Sequence, residues 1–393
     1  MEQYDVAVVG AGPAGGQCAR SLTKAGVKVI LVEKQKEIGE PNFSTAGTPE
    51  ETLKIFDLPD KLAPYKCDKV YIGSSSSEIV KQSEHNNSRV FDFRRLNQYL
   101  AEDAAKYGAE IAIGTTAGDL IIEDNKIKGI KYQGIMSSGE IRAKIIVDAS
   151  GSSQLYSGPL GIIDKDKKII ASALEFEMTN VELPYKNCLY IFIGNKYIPN
   201  GYGWVFPMSD NIAKIGVARV ENDQTNNNAL NIELKSFLGN IPWLRGAEPV
   251  EFHGSAVAFD RTAKNFVREN FVAIGTSASH INPFAGEGVR HGMMAGKLAS
   301  EVIKRSLDIG DTSENQLAEF NKLWLEYSKN NWEQCYRLAE SIYKNTDDTR
   351  IDECVKLLDA VSGDELFDIL YHYNFNKYAP RLAGGFFAEG IFV

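Results

Sequence analysis

The sequence has few of the residues that build metal sites or disulfide frameworks. Its five cysteines, Cys18, Cys67, Cys188, Cys335 and Cys354, lie far apart, and no C-x-x-C pair occurs. This spacing excludes a zinc ribbon and a disulfide scaffold, and it favours reduced thiols in a cytosolic protein. The five histidines do not cluster either, so we predict no metal site.

Long apolar runs and an excess of basic residues are also missing. No segment approaches the roughly 20 apolar residues that a membrane-spanning helix needs, and the acidic start Met1–Asp5 is not typical of a secretory signal. Lys and Arg total 43 against 52 Asp and Glu, which gives a net charge of -9. This balance argues against nucleic acid as a partner, and we expect a cytoplasmic protein.

The sequence does contain enough apolar residues for a large core, because 44% of its 393 residues are hydrophobic. This length predicts about two to three domains. The N-terminal part predicts a βαβ unit, with a buried strand at Val6–Gly10, a helix at Ala14–Ala25 and a second buried strand at Val27–Val32. The fold class expected from this unit is α/β, with a Rossmann-type domain.

The pattern changes between Ala171 and Arg219, where short β-rich runs alternate with Asn, Pro and Gly turns. We interpret this stretch as an inserted antiparallel β-sheet. The predicted organisation is a discontinuous Rossmann-type domain at 1–165 and 255–305, a substrate-binding sheet at 166–254, and a helical C-terminal region at 306–393.

The first motif follows the first strand and opens the first helix. It reads Gly10-Ala11-Gly12-Pro13-Ala14-Gly15, a G-x-G-x-x-G loop in which glycines allow a tight turn, close approach of a pyrophosphate and close helix packing. Glu33 ends the second strand, beside Lys34 and 18 residues after Gly15. A carboxylate at that place accepts hydrogen bonds from ribose hydroxyls. The motif therefore predicts a dinucleotide site.

The arrangement resembles FAD-dependent enzymes of the p-hydroxybenzoate hydroxylase-like superfamily. Asp92-Phe93-Arg94-Arg95, at the start of a periodic helix, is similar to the family's D-R-x-x-L segment, whose arginine contacts FAD, and this implies a role for Arg95 or its neighbour Arg94. The resemblance also implies that Ala117 lies near the adenine. Asp148-Ala149-Ser150-Gly151 resembles the segment that returns the chain to the FAD domain in relatives, which implies a cofactor contact at Gly151.

A later segment extends the resemblance to the flavin itself. Ala273–Ala278 matches a segment in which relatives carry an Asp for FAD, here replaced by Thr276, and Asn282–Gly288 matches the family's N-P-F-x-G-x-G loop. The loop glycines let the backbone lie against the isoalloxazine, and the following helix points its N–H groups at the flavin. The flavin contacts implied here are Gly275, Thr276, Pro283, Gly286, Glu287, Gly288 and Val289.

Only one G-x-G-x-x-G occurs, so we predict no second dinucleotide domain. The flavin must then receive electrons from outside, from NAD(P)H that binds transiently or from a reduced protein carrier.

A second motif indicates the substrate. Pro199–Pro207 fits P-x-x-Y-x-W-x-F-P, which is typical of the geranylgeranyl reductase family, and the resemblance runs from the N-terminus to about residue 305. Tyr202, Trp204 and Phe206 alternate along a strand and share one face. The family resemblance implies hydride transfer from FADH₂ to the C=C bonds of an isoprenoid chain bound along these aromatics.

Two residues are candidates for a catalytic role. Ser44 stands where many members of the family carry a cysteine in a P-x-x-C-G segment, and His291 lies on the helix after the flavin loop, with His280 before it. A histidine in such a place is more often a packing or hydrogen-bonding residue than a general acid. The expected partners are an apolar small molecule or a lipid, an electron-donor protein, and a peripheral membrane contact.

Two alternatives stay open. A flavin-dependent monooxygenase or halogenase acting with O₂ on an apolar or aromatic small molecule uses the same scaffold, and a halogenase needs a lysine for which Lys69 or Lys81 are candidates. A non-catalytic flavin- or nucleotide-binding protein is the third hypothesis, motivated by Thr276 and Ser44.

Overall fold

The computed structural model describes residues 3–42, 44–164, 169–220, 230–259, 261–328, 331–343, 347–378 and 380–382. The strands in chain order are β1 (Gln3–Val9), β2 (Val29–Val32), β3 (Gly47–Pro49), β4 (Lys66–Cys67), β5 (Lys69–Gly73), β6 (Glu78–Gln82), β7 (Ser88–Val90), β8 (Glu110–Ala112), β9 (Thr115–Glu123), β10 (Lys126–Gly134), β11 (Ser138–Asp148), β12 (Ile169–Thr179), β13 (Cys188–Ile193), β14 (Gly201–Pro207), β15 (Ile212–Val220), β16 (Glu248–Phe259), β17 (Val267–Arg268) and β18 (Phe271–Ala273). The α-helices are α1 (Pro13–Lys24), α2 (Glu51–Ile55), α3 (Phe93–Lys106), α4 (Leu230–Gly239), α5 (Val289–Ile309), α6 (Glu314–Leu317), α7 (Glu319–Ser328), α8 (Asn331–Tyr343), α9 (Asp348–Leu357), α10 (Gly363–His372) and α11 (Phe375–Tyr378).

The first sheet is the predicted Rossmann-type unit. Its parallel strands run in the order β18-β11-β1-β2-β8, and β9, β10 and β17 extend it with antiparallel pairs. The chain passes from β1 to β2 on one side, while β11 lies on the other side of β1. A ligand binds at such a topological switch point, outside the carboxyl ends of the strands. The glycine loop after β1 lies at this point.

The second sheet is mostly antiparallel and has the strand order β16-β12-β15-β14-β13-β5-β6. The alternation between 171 and 219 correctly predicted its central strands. Its β5 and β6, however, come from residues 69–82, within the range predicted for the Rossmann-type domain. The two strands join through parallel pairing of β5 with β13. Local periodicity identifies a short strand but not the sheet that it enters.

Helices pack on both of these sheets, and β3, β7 and β4 form a third, three-stranded sheet. Helix α5 packs tightly on α1, since a Cβ on Gly296 would lie 2.4 Å from the Ala14 carbonyl oxygen. The C-terminal helices pack instead on the β5 end of the second sheet, where Val70 and Ile72 share a core with Val355 and Leu366. Residues 383–393 of the predicted helical region lie outside the described residues. Among the described helices, none is both long enough and apolar enough to span a bilayer.

Candidate active site

The glycine loop between β1 and α1 leaves room for a ligand at one position only. Gly10 has a φ of +105°, and a Cβ there would lie 2.4 Å from the Ala149 carbonyl oxygen. A Cβ on Gly15 would lie 1.9 Å from the Gly10 carbonyl oxygen. At Gly12, by contrast, nothing lies within 4 Å of the missing side chain. Gly12 is also the N-cap before Pro13, without a side-chain cap. The N–H groups and positive dipole end of α1 are therefore open to phosphate.

Glu33 lies directly behind this loop. Its Oε2 accepts a hydrogen bond from the Ala11 N–H at 2.9 Å, and its Oε1 accepts one from the Gln35 N–H at 2.9 Å. Each carboxylate oxygen has a second acceptor position, so Glu33 can brace the loop and still accept from ribose. Lys34 is exposed, and Ala117 is buried on β9.

Two further glycine turns adjoin the loop. Gly151 follows β11 with a φ of +68°, and nothing lies within 4 Å of its missing side chain. Gly275 has a φ of +69°, and a Cβ there would lie 2.7 Å from the Ala14 Cβ. The Ser277 hydroxyl fastens this turn to a carbonyl oxygen at the end of β11, at 2.7 Å. Thr276 is half-buried in the same turn. The structure thus brings three distant sequence motifs together.

The loop before α5, which we call the second glycine loop (Asn282–Gly288), is held by its own first side chain. The Asn282 Oδ1 accepts hydrogen bonds from two backbone N–H groups further along the loop, at 3.0 and 3.2 Å. Pro283 is buried, and Gly286 is exposed with a φ of +63°. The last residue of the loop is the N-cap of α5, which begins at Val289. A second helix N-terminus therefore opens beside the exposed glycine.

The two arginines at the start of α3 point in different directions. Arg95 is 45% exposed and pairs with Glu102 of its own helix at 3.4 Å. Arg94 pairs with Glu40 and lies 3.7 Å from Glu251 on β16. Its Nε is buried without a hydrogen-bond partner. Between the two alternatives, the geometry favours Arg94 as the residue that faces the second sheet.

Glu287 and His291, two predicted site residues, belong to one buried charge cluster. Arg290 donates to Glu287 through Nε and a terminal nitrogen, both at 2.7 Å. The Tyr373 hydroxyl donates to Glu287 at 2.5 Å, and the His291 Nε2 lies 3.3 Å from the same carboxylate. The Tyr327 hydroxyl lies 2.9 Å from the His291 Nδ1. We call this cluster the Glu287 clamp.

The charges in the Glu287 clamp are fixed by their surroundings. Burial alone raises the pKa of Glu287, but Arg290 and His291 hold it well below its usual range. Burial lowers the pKa of His291, so its imidazole is neutral more readily than in water. The clamp therefore orders the second glycine loop through its side chains and leaves the loop backbone for a ligand.

Ser44 and His280 make local contacts. The Ser44 hydroxyl accepts from the Ala46 N–H at 3.2 Å. The His280 Nδ1 accepts from the Gly275 N–H at 3.1 Å, and its ring lies 3.8 Å from the Trp324 ring. Burial lowers the pKa of His280 well below its usual value. Both contacts hold turns in place.

The aromatic row of β14 faces the second glycine loop. The Tyr202 hydroxyl donates to the Ala285 carbonyl oxygen at 3.0 Å, and its ring centroid lies 5.5 Å from that of Trp204. Phe206 packs against Gly47, where a Cβ would lie 2.7 Å from the ring. An apolar surface thus begins beside the exposed Gly286 and runs along the strand.

Sequence reasoning missed three buried polar residues on the same face of this sheet. Glu175 accepts from the Trp204 Nε1 at 2.8 Å and lies 3.0 Å from the His253 Nδ1. The fully buried Lys214 donates to the carbonyl oxygens of Ser44, Thr45 and Phe91 at 3.2 to 3.3 Å. One sequence signal could have found two of them. Polar residues alternate at 175 and 177 and at 251 and 253 within β-rich runs, and this spacing places each pair on one face of the sheet.

A polar cavity of about 540 Å³ lies apart from these elements. Its lining includes Gln3, Arg142, Lys144, Asn270 and Thr312. Gln3 begins β1 at the amino end of the parallel strands, whereas a Rossmann-type ligand binds at their carboxyl ends. We therefore do not assign this cavity to the dinucleotide.

The residues present fit a dinucleotide with a flavin. The positions that stay open, Gly12 and Gly151, flank the carboxyl ends of β1 and β11, and an uncapped helix N-terminus points at them. The second glycine loop adds an exposed glycine and the start of a second helix.

Comparisons with known proteins agree with this geometry. The FAD dependent oxidoreductase family matches residues 5–157, and the geranylgeranyl reductase catalytic domain matches residues 169–257. The chain is 30% identical to digeranylgeranylglycerophospholipid reductase 2 of Methanococcoides burtonii, over 82% of this chain and 80% of that protein.

Solved structures of the same family and of other flavoproteins share this fold. A geranylgeranyl bacteriochlorophyll reductase-like protein of Thermoplasma acidophilum superposes with a TM-score of 0.87 at 25% identity, over 97% of this chain and 100% of that one. A myxobacterial chondrochloren halogenase superposes with a TM-score of 0.72 at 17% identity, over 96% and 93%, which shows a shared fold only. The predicted fold class and family resemblance are confirmed, and this FAD-dependent oxidoreductase belongs to the geranylgeranyl reductase family.

Proposed function

We propose that this protein saturates C=C bonds in the isoprenoid chain of a membrane lipid. The observation that carries the proposal is the aromatic row of Tyr202, Trp204 and Phe206, which starts at a hydrogen bond to the second glycine loop. The names of relatives such as the digeranylgeranylglycerophospholipid reductase of Methanococcoides burtonii support the lipid class. Flat apolar side chains beside a flavin loop suit an extended hydrocarbon.

We assign the cofactor to the three glycine turns and both helix ends. Gly12 would approach the pyrophosphate and Glu33 the ribose, Gly10 and Gly15 allow the tight turn and the close helix packing, and Gly286 would leave space against the flavin ring. When bound, the reduced flavin supplies a hydride. The chain itself positions the alkene and excludes water, which matters because an unactivated alkene carries little charge to recognise.

We further propose an external electron donor, either NAD(P)H or a reduced protein carrier. The single dinucleotide motif supports this assignment, because FAD already occupies it in the proposed arrangement. Stopped-flow reduction of the flavin by NADPH, NADH and a reduced ferredoxin distinguishes the donors, since the productive one reduces it fastest.

We also propose peripheral contact with a bilayer, through apolar side chains on the outer face of the second sheet. Phe252 is 58% exposed at edge strand β16, Ile170 on β12 is 44% exposed, and Ile232 on α4 is 56% exposed. We expect the Phe252→Asp variant to co-sediment several-fold less with phospholipid vesicles than wild type, with the exposed Met136→Asp variant, on another hairpin, as control. Equal sedimentation of wild type and Phe252→Asp would contradict this surface.

The test of the main proposal uses the holoenzyme without oxygen. The bound flavin is photoreduced and mixed with a digeranylgeranyl phospholipid in detergent, and its reoxidation is followed by absorbance. We expect reoxidation, with a gain of two mass units per bond in the lipid, and no reoxidation with the saturated lipid as matched control. No reoxidation until O₂ is admitted, followed by a stabilised C4a-type flavin spectrum, would favour a monooxygenase or halogenase instead.

The lysines give the halogenase alternative little support. Lys69 pairs with Asp68 and Lys81 with Asp359, and both belong to β5 and β6, beyond β13 from the aromatic row. Lys214 lies nearer, but its three hydrogen bonds to carbonyl oxygens use all three ammonium protons.

A further inference from the structure

One row of side chains crosses the second sheet on the face that carries Trp204. Direct cross-strand pairs place His253 of β16 opposite Glu175 of β12, Glu175 opposite Gly216 of β15, and Gly216 opposite Trp204 of β14. Such pairs share a face. Because Gly216 has no side chain, the Trp204 ring lies over it, and a Cβ at Gly216 would lie 2.4 Å from the ring. The indole N–H therefore reaches Glu175 two strands away.

The outer half of this row is continuous with the surface. The Glu251 carboxylate, 38% exposed, lies 2.9 Å from the His253 Nε2. The His253 imidazole is buried, and its Nδ1 lies 3.0 Å from the Glu175 Oε1. An imidazole can accept a proton at one nitrogen while it gives one up at the other. Glu251, His253 and Glu175 thus form an unbroken path from a half-exposed carboxylate to a buried one.

The inner half ends beside the aromatic row. The Glu175 Oε2 accepts hydrogen bonds from the Trp204 Nε1 and from the Thr45 hydroxyl. Trp204 in turn packs on Tyr202, which bonds to the second glycine loop. The buried carboxylate is therefore one side chain away from the surface that we assign to the alkene.

We propose that Glu251, His253 and Glu175 deliver the proton of alkene reduction, with the Thr45 hydroxyl as the last link. This inference rests on the proposed function. Reduction adds a hydride to one carbon and a proton to the other. A proton enters from solvent at Glu251, crosses His253 and protonates Glu175. Thr45 then gives its hydroxyl proton to the carbon as it takes the proton of Glu175, so both groups regain their starting protonation, while His253 is left with its proton on Nε2 in place of Nδ1.

The groups around His253 suit this role. Glu175 faces it from β12, Glu251 from its own strand and Lys214 from β15, while Arg94 of α3 reaches Glu251. Burial by itself lowers the pKa of His253, but the two carboxylates outweigh burial and raise it above its ordinary value. The His253 imidazole is therefore protonated more readily than a histidine in water.

Other polar side chains described at the site are less suited to donate the proton of alkene reduction. The protons of Lys214 are bound to three carbonyl oxygens. Glu287 is held as a carboxylate by Arg290. Glu177 lies on the same face, and burial raises its pKa, but it stands opposite Lys214 and not opposite Gly216, so it makes a matched control on the same strand.

The test compares Glu175→Gln with Glu177→Gln. Glutamine keeps an acceptor oxygen for Trp204 and Thr45 but carries no transferable proton. In the anaerobic reoxidation assay, we expect Glu175→Gln to slow flavin reoxidation by lipid by roughly 10² to 10⁴-fold, with unchanged FAD content and unchanged photoreduction. Glu177→Gln is expected to stay within about threefold of wild type. Thr45→Val should be slow as well, and Thr45→Ser should recover most of the rate.

A second readout does not depend on turnover. In an NMR titration of labelled histidine, the pKa of His253 should fall in Glu175→Gln and stay unchanged in Glu177→Gln. If wild type reoxidises with lipid and Glu175→Gln is equally fast, the proton path is wrong and the proposed function stands. If Glu177→Gln is the slow variant, the donor is Glu177. If wild type itself does not reoxidise with lipid, the proposed function fails and the proton path fails with it.

Discussion

Two buried glutamate–histidine pairs lie at the candidate active site among the described residues, and they differ in the groups that bond to the glutamate. In the Glu287 clamp, Arg290 grips the carboxylate with two bonds of 2.7 Å and donates a third hydrogen bond, to the Tyr371 carbonyl oxygen. An arginine stays charged at all ordinary pH values. In the proton path, Glu175 bonds to a hydroxyl, an indole and an imidazole, and none of these three groups carries a permanent charge.

The two histidines respond to these surroundings in opposite ways. The pKa of His291 is lowered because burial is its strongest influence and Arg290 opposes protonation. The pKa of His253 is raised because two carboxylates flank it and outweigh the effect of burial. A buried Glu–His pair therefore holds a loop in place when an arginine pairs with the glutamate. We infer that it conducts protons when a partly exposed carboxylate bonds to the histidine.

The largest effect that tests this comparison is expected from Arg290→Met. Removing the arginine leaves Glu287 buried without its main counter-charge, which costs roughly 3 to 5 kcal/mol of unfolding free energy. Because the clamp holds the second glycine loop, we also expect weaker FAD retention. Denaturant unfolding of the holoenzyme and flavin release on dilution measure the two effects.

Lys304→Met is the matched control on the same helix. Lys304 pairs with Asp308 at the surface, and exposed helix pairs contribute about 0.3 to 0.5 kcal/mol. Equal losses in the two variants would mean that the clamp contributes no more than a surface ion pair.

A smaller effect is expected from Gly216→Ala on the side of the proton path. The added Cβ would lie 2.4 Å from the Trp204 ring and 2.7 Å from the Leu174 carbonyl oxygen, so the ring must shift away from Glu175. Overpacking of this kind costs roughly 1 to 3 kcal/mol. We expect a changed near-ultraviolet circular dichroism signal and slower reoxidation by lipid. Gly239→Ala, where nothing lies within 4 Å of the missing side chain, should change neither.

Much of the fold was predictable because its signals are local. The G-x-G-x-x-G loop, the strand before it and the helix after it occupy adjacent residues, and the Tyr202-x-Trp204-x-Phe206 spacing states directly which side chains share a face. The membership of β5 and β6 in the second sheet was missed, because a five-residue strand does not reveal its partner.

The polar part of the site was not predictable for the same reason. Glu175 and His253 are 78 residues apart in the chain, and only the register of β12 against β16 sets them opposite each other. Lys214 reads in sequence as an ordinary surface lysine. Its burial depends on carbonyl oxygens from two distant segments, at Ser44 and Phe91.

The smallest predicted effect concerns how the contributions of His253 and His291 to stability depend on pH, which should have opposite signs. Because the folded pKa of His253 is raised, its contribution to stability is complete below its unfolded pKa of about 6.5 and is lost as pH rises through the folded value. His291 has a lowered folded pKa, so its contribution is present above about 6.5 and declines as pH falls. The loss of unfolding free energy in His253→Gln should therefore be larger at about pH 6 than at about pH 8. The loss in His291→Gln should be smaller at about pH 6 than at about pH 8. If the loss of unfolding free energy changed with pH in the same direction in both variants, the distinction between the Glu287 clamp and the proton path would not hold.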